Sequence, residues 1–270
     1  MQGRDPAPPA VAVLTACPRP WLIGVLHLPA LPGAPGSTLS VDRIAEDAAR
    51  DALLLQECGF TAVMIENFHD SPFFKHRVEP ETVAAMALVA REVRRHVNIP
   101  LGVNVLRNDA PAALAVAATA GASFLRVNVL AGTVVTDQGT IEGEAATLLR
   151  RRAWLGAAVS ILADVDVKHA TSLDTRPVTV RARDLVTRSG ADAVLVTGQA
   201  TGSPVDLPTL SAVAESVAPT PVLAASGTTP DTLPAILEVA AGTVVGTALQ
   251  DPDTGRLDER RVRDYAGAAS

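Results

Sequence analysis

Lysine is nearly missing from this chain of 270 residues: of 23 basic residues only Lys75 and Lys168 are lysines, and the rest are arginines. Aromatic residues are scarce as well, at 3%. There is no basic excess; the formal net charge is −6, so nothing is available to release phosphate counterions and no nucleic-acid partner is expected. Two cysteines, Cys17 and Cys58, cannot make a disulfide framework in a chain this long. No apolar run approaches the roughly 20 residues that a membrane span needs. Leu14-Thr15-Ala16-Cys17 has the form of a lipoprotein cleavage box, but Asp5 offsets Arg4, and Pro6, Pro8 and Pro9 break any apolar helix before it. A cytoplasmic protein is expected.

What is present is a regular alternation. Residues 1–20 read as a disordered Pro/Ala-rich tail. From Trp21 short apolar runs alternate with segments of helical period: Leu22–Leu28, Thr61–Glu66, Leu101–Val105, Phe124–Val129, Val159–Val165, Ala193–Val196, Val222–Ala225 and Thr243–Val245 as strands, with helices between them. Pro80 suits the first turn of the second helix, and Arg94, Arg95 and His96 its negative end. Asp109 is the expected N-cap of the third. Buried, non-alternating strands separated by helices imply a parallel sheet with helices outside. Eight such units in residues 21–270 predict a single α/β domain, a (β/α)8 TIM barrel. A doubly wound sheet is the alternative, but no Gly-x-Gly-x-x-Gly follows the first strand.

In such a barrel the chemistry sits on the loops after the strands. His27, His69, His76 and His169 fall there, and so do both lysines, each directly before a histidine as Lys75-His76 and Lys168-His169. Ala225-Ser226-Gly227-Thr228-Thr229 follows the seventh strand and Gly246-Thr247-Ala248 the eighth. Glycines there let backbone N–H groups approach an anion, and the short helix between, about Pro230–Val239, would add its dipole. Ser226, Gly227, Thr228, Gly246 and Thr247 are therefore the candidate phosphate site. Thr197-Gly198 and Thr201-Gly202, after the sixth strand, could add contacts.

The fifth strand ends Asp164-Val165-Asp166-Val167-Lys168-His169. Alternation puts Asp164 and Asp166 on one face, as candidate Mg2+ ligands or an acid/base pair; the other reading is an ion-pair network closing the barrel top. Glu66, Asn104, Arg126, Asn128 and Asp164 fall inside apolar strands, where such groups are costly unless paired. Pointing inward they would form a polar ring, as a polar substrate site requires. His27 and Arg107 complete the candidate binding set. No organic cofactor is indicated. Loop 68–78 holds Phe68, Phe73 and Phe74, and loop 131–143 is long and glycine-rich; either could be a lid, and the phenylalanines could equally be an oligomer contact.

Several of these segments resemble the BtpA/SgcQ family: Gly24-Val25-Leu26-His27-Leu28-Pro29 with Leu31-Pro32-Gly33, Ile65-Glu66-Asn67-Phe68, Asn104-Val105-Leu106-Arg107-Asn108-Asp109, Arg126-Val127-Asn128-Val129, Thr136-Asp137-Gln138-Gly139 and Val167-Lys168-His169-Ala170. The resemblance spans about residues 21–265. It implies a barrel similar to the ribulose-phosphate-binding group. Its founding member is linked to photosystem I biogenesis as a peripheral membrane protein, although the family also occurs without photosynthesis. One departure is Gln250, where the resemblance leads one to expect a lysine.

The expected function is an enzyme acting on a small phosphorylated sugar or nucleotide, by phosphoribosyl-type glycosyl transfer or cleavage. Asp164, Asp166, Lys168, His169 and Glu66 are its catalytic candidates. An isomerase or aldolase using Lys168 or Glu66 is the alternative chemistry, and a non-catalytic assembly factor the alternative class. A homo-oligomer is expected.

Overall fold

The computed structural model describes residues 19–198 and 205–269. Cys17, Thr201 and Gly202 lie outside the described residues. In chain order the elements are β1 (Trp21–His27), α1 (Val41–Glu57), β2 (Ala62–Glu66), α2 (Pro80–His96), β3 (Leu101–Asn104), α3 (Ala110–Ala120), β4 (Phe124–Val127), β5 (Thr133–Thr136), β6 (Gly139–Glu142) and α4 (Ala145–Leu155). Then come β7 (Ser160–Asp164), β8 (Ala170–Ser172), α5 (Val178–Thr187), β9 (Ala193–Val196), α6 (Leu207–Val217), β10 (Val222–Ala224), α7 (Leu233–Leu237), β11 (Gly242–Val245), a 3-10 turn at Thr247–Leu249 and α8 (Glu259–Gly267).

Eight of the strands close a parallel barrel in the order β1-β2-β3-β4-β7-β9-β10-β11. This is the expected (β/α)8 barrel. The closing pair is β1 with β11, Trp21 opposite Gly242 and Gly24 opposite Val245. Because side chains alternate between faces, each strand feeds two cores. Inside the barrel pack Trp21, Ile23, Val25, Met64, Phe124, Leu162, Leu195, Leu223 and Val244. Between barrel and helices pack Leu22, Leu26, Val63, Ile65, Val103, Leu125 and Ile161 against the buried faces of α1 to α3.

The caps follow local chemistry. Ser40 Oγ accepts from Arg43 N at 3.3 Å ahead of α1. Asp109 does more than the expected capping of α3: its carboxylate accepts from Ala112 N at 3.0 Å, from Val78 N at 2.9 Å and from Arg77 Nη1 at 3.0 Å. It thereby ties loop 68–78 to the start of α3.

Three expectations change. The glycine-rich stretch 131–143 is a hairpin, β5 with β6, and β8 joins it as an antiparallel sheet ordered β6-β5-β8. Its strands are only three or four residues long, too short for periodicity to declare them. The helix after β10 shrinks from about ten residues to the five of α7, because Thr229 to Thr232 form a turn in which Thr229 N donates to Thr232 Oγ1 at 3.0 Å. Finally, β7 stops at Asp164, so strand alternation does not extend to Asp166.

Candidate active site

Along β1, β2, β4 and β7 the inward positions are apolar at the floor and polar at the top. On β1 the series Trp21, Ile23, Val25 ends in His27; on β2, Ala62 and Met64 end in Glu66; in and just after β4, Phe124 gives way to Arg126 and Asn128; on β7, Leu162 gives way to Asp164. Glu66 stands in register with Asn104 on β3. Glu66, Asn104, Arg126, Asn128 and Asp164 are all buried, so the inward polar ring read from the sequence is present.

Four of its members are joined. Asn104 Nδ2 donates to Asn128 Oδ1 at 3.4 Å, and Asn128 Nδ2 donates to Asp164 Oδ2 at 2.7 Å. Arg126 donates to the same carboxylate through Nη2 at 3.0 Å and Nε at 3.2 Å. Burial pushes the Asp164 carboxyl up, while the Arg126 charge and the donors from Arg126 and Asn128 pull it down. With three N–H groups on one carboxylate, the ion pair is the state this geometry holds. Asp164 is thus a positioning residue for Arg126, whose guanidinium reaches the cavity above.

Asp166 goes elsewhere. Its carboxylate pairs with Arg181 of α5, Nη2 to Oδ2 at 3.0 Å, and its carbonyl accepts from Thr197 Oγ1 at 2.7 Å. The two aspartates therefore do not share a face, and each is already bound by an arginine. Among the described residues no three His, Cys, Asp or Glu side chains converge on a metal position. This donor set does not fit a shared Mg2+.

A cavity of about 600 Å³ opens at the C-terminal mouth. Its wall includes His27, Glu66, Arg107, Arg126, Asn128, Lys168 and His169 on one side and Ser226, Gly227, Thr228, Gly246 and Thr247 on the other. Asn104, Asp164 and Asp166 are not on its wall, nor is Gly198, the last described residue before 199–204. Glu66 is buried; its backbone carbonyl accepts from Leu28 N at 2.9 Å and Phe68 N at 2.8 Å, while its carboxylate is held by no arginine or amide of the ring and has capacity to spare. Lys168 is half-buried, and burial together with the nearby Arg126 charge pushes its ammonium below the ordinary lysine range. Arg107 Nη2 donates to the Lys168 carbonyl at 2.6 Å, fixing that loop.

His27 stacks on Phe68, ring centroids 4.1 Å apart and planes 16° from parallel. Gly246 lies against its Cε1–Nε2 edge, where a Cβ would come within 2.8 Å of the imidazole and force the ring to shift. Burial pushes the His27 pKa down, opposed by the Glu66 charge and by the neighbouring Gln250 side chain. Nδ1 is buried without a partner among the described residues.

The glycine loops meet at the far wall. Gly227 takes φ +58°, a conformation glycine adopts without strain, which turns the chain after β10 along the cavity. Thr228, a candidate phosphate contact, has its hydroxyl hydrogen-bonded with that of Tyr265 of α8 at 2.6 Å, and Tyr265 also meets Thr243 Oγ1 at 3.0 Å. The Thr228 hydroxyl is therefore already engaged within the protein, and its backbone is what remains for an anion. The α7 dipole is a lesser contributor than expected, since that helix begins at Leu233, beyond the cavity wall.

Phe68 and Phe73 line the cavity and Phe74 is exposed. Lys75 is not on the wall; its Cδ would lie 3.9 Å from a Cβ at Gly139 on the hairpin. Sequence reasoning missed Tyr265 and Gln250. The first had a signal, being the single tyrosine of the chain; the second had only its departure from the expected lysine.

The class is now defined: a (β/α)8 barrel with a polar, partly cationic cavity at its C-terminal mouth, flanked by glycine loops after the last two strands. The chain belongs to the BtpA family, whose model matches residues 19–270. It is 45% identical over 230 residues to a protein of Pyrococcus abyssi, covering 85% of this chain and 87% of that one. It is 42% identical over 229 residues to the photosystem I biogenesis protein BtpA of Synechocystis, covering 85% and 80%. Among solved structures it is similar to tryptophan synthase from M. tuberculosis, TM-score 0.61 at 19% identity, covering 97% and 100%. It is also similar to N-(5'-phosphoribosyl)anthranilate isomerase from Pyrococcus furiosus, TM-score 0.58 at 14% identity, covering 92% and 98%. At such identities the likeness is one of fold. No helix among the described residues is long and apolar enough to cross a membrane.

Proposed function

We propose that this chain is an enzyme acting on a phosphorylated sugar or nucleotide, and that its reaction is glycosyl transfer or cleavage of phosphoribosyl type. One observation carries the reading: the two glycine loops and the group Glu66, Arg126 and Lys168 line a single cavity of about 600 Å³, within the range of small-ligand sites. A phosphate would lie on the backbone of Gly227, Thr228 and Thr247, the usual phosphate position in this fold. The sugar would then extend toward Glu66. As the bond from the anomeric carbon to the leaving group breaks, its electron pair departs with that group and positive charge develops at the carbon. The Glu66 carboxylate stabilises that charge, and Arg126, Lys168 and His169 receive the departing group. A nucleophile then closes the new bond to the same carbon. Two barrel neighbours, N-(5'-phosphoribosyl)anthranilate isomerase and 3-hexulose-6-phosphate synthase (TM-score 0.58, 16% identity), carry phosphorylated sugars in their names, which supports the substrate class.

A second reading, a carbonyl enzyme using a Schiff base, is favoured by the lowered Lys168 pKa. Both are tested by thermal shift against phosphoribosyl diphosphate, sugar phosphates and nucleotides, with and without Mg2+. A ligand at 100 times its Kd adds about 2.7 kcal/mol, and a positive shift is expected for at least one phosphate ester. No shift from any of them overturns the phosphate site. Borohydride trapping of Lys168 with a shifting carbonyl ligand would move the assignment from glycosyl transfer to the second reading.

A further inference from the structure

We propose that Arg107 and Lys168 form a second anion subsite across the cavity from the glycine loops, so that the ligand is a sugar carrying a phosphoryl group at each end. This rests on the reading of the cavity as a sugar-phosphate site and names the substrate class within it. Arg107 follows β3 and Lys168 follows β7, the two neighbours of β4, while the glycine loops follow β10 and β11. In the closed strand order those pairs lie on opposite sides of the ring. Eight strands about 4.8 Å apart and tilted by about 36° close a ring roughly 15 Å across. Narrowed on one side by two long basic side chains, such a ring spans a sugar with an anionic group at either end.

The charge balance points the same way. Arg107, Arg126 and Lys168 are on the cavity wall, against one carboxylate, Glu66. Arg126 is already neutralised from behind by Asp164. Neither Arg107 nor Lys168 makes an ion pair with a described residue. Arg107 donates one N–H to the Lys168 carbonyl, which leaves the rest of its planar fork for an oxyanion. The Glu66 and Asp164 carboxylates act on both cations from a distance, and Asp137 on Arg107, but none pairs with either, and two half-buried cations side by side are costly unless an anion joins them. Burial and the neighbouring cations weaken the hold of both groups on their protons, and those carboxylates oppose the shift without cancelling it.

The test is calorimetric titration of the whole chain in EDTA with ribose 5-phosphate, ribose 1,5-bisphosphate and phosphoribosyl diphosphate. The doubly phosphorylated sugars should bind tighter than the monophosphate by about tenfold or more, the equivalent of about 1.4 kcal/mol. Arg107→Gln and Lys168→Gln should each shrink that ratio, and the double variant should bring it near one. Arg107→Lys, which keeps the charge, should retain part of the preference and controls for folding. If the monophosphate binds and the doubly phosphorylated sugars bind no tighter, the second subsite falls and the sugar-phosphate reading stands. A preference unaffected by either substitution also overturns the subsite. Binding of no phosphate ester overturns both.

Discussion

His27 shows how one residue's surroundings decide its chemistry. Stacked on Phe68 and pressed against Gly246, its ring is removed from water, and burial lowers its pKa from the ordinary 6.5 despite the facing Glu66 carboxylate and the Gln250 side chain. The nearby His69 and Lys168 charges act in the same direction as burial. The consequence for stability has a definite sign. Below pH 6.5 the unfolded chain protonates this imidazole while the folded chain resists, so the unfolded state binds more protons and stability falls with falling pH. The contribution is fully present above 6.5 and is lost as pH drops toward the lowered folded value. Melting temperatures of the wild type and of His27→Asn, taken between pH 8 and 5, should converge as pH falls. Parallel curves over that window would show that His27 does not carry this linkage.

At the scale of elements, the barrel strands were legible to within a residue or two because each combines an apolar run with a turn signal. Asp109 and Pro80 were legible as helix starts for the same local reasons. The β5-β6-β8 sheet was not, since strands of three or four residues give no period and β8 is separated from its partner β5 by β6, α4 and β7. The polar ring was legible because charge inside an apolar run is costly. Which carboxylate would be consumed by an arginine was not, because alternation fixes the face and says nothing of the partner across the barrel. Asp164 and Asp166 are the clearest instance. The glycine cradle hides another such support: α8 lies far along the chain from β10 yet delivers Tyr265 to Thr228 and Thr243, which become 2.6 and 3.0 Å neighbours of its hydroxyl. Tyr265→Phe removes that hydroxyl and leaves two buried threonines short of a partner, at about 1–3 kcal/mol. For a chain of this size that is a fall of several degrees in Tm, at about 2–4 °C per kcal/mol. The measurable companion is weaker retention of inorganic phosphate, since the Thr228 backbone is no longer anchored. A lowered Tm with unchanged phosphate affinity would separate α8 from the cradle.

At the scale of the whole molecule the question is whether the barrel is a catalyst or a scaffold, the latter suggested by the Synechocystis relative's name as a photosystem I biogenesis protein. The two readings place selection on different surfaces: the buried ring around Asp164, or the exposed Phe74, 53% accessible on loop 68–78. A single Asp164→Ala does not separate them. It strands Arg126 in the core, and breaking a buried ion pair from one side costs about 3–5 kcal/mol, enough to abolish either role by unfolding. The informative variant replaces both partners, Arg126→Met with Asp164→Leu. A buried pair exchanged for apolar residues of similar volume is often neutral in stability, and the remaining cost is the Asn128 amide left without its 2.7 Å acceptor, about 1–3 kcal/mol. Urea denaturation should therefore show the double variant recovering part of what Asp164→Ala loses. Introduced into cells lacking their own copy, this folded double variant should fail to restore the phenotype while Phe74→Ser restores it, because the barrel mouth has lost one of its cavity-lining cations and the outer surface is intact. Full rescue by the double variant together with failure of Phe74→Ser would make the chain a scaffold whose polar ring is dispensable.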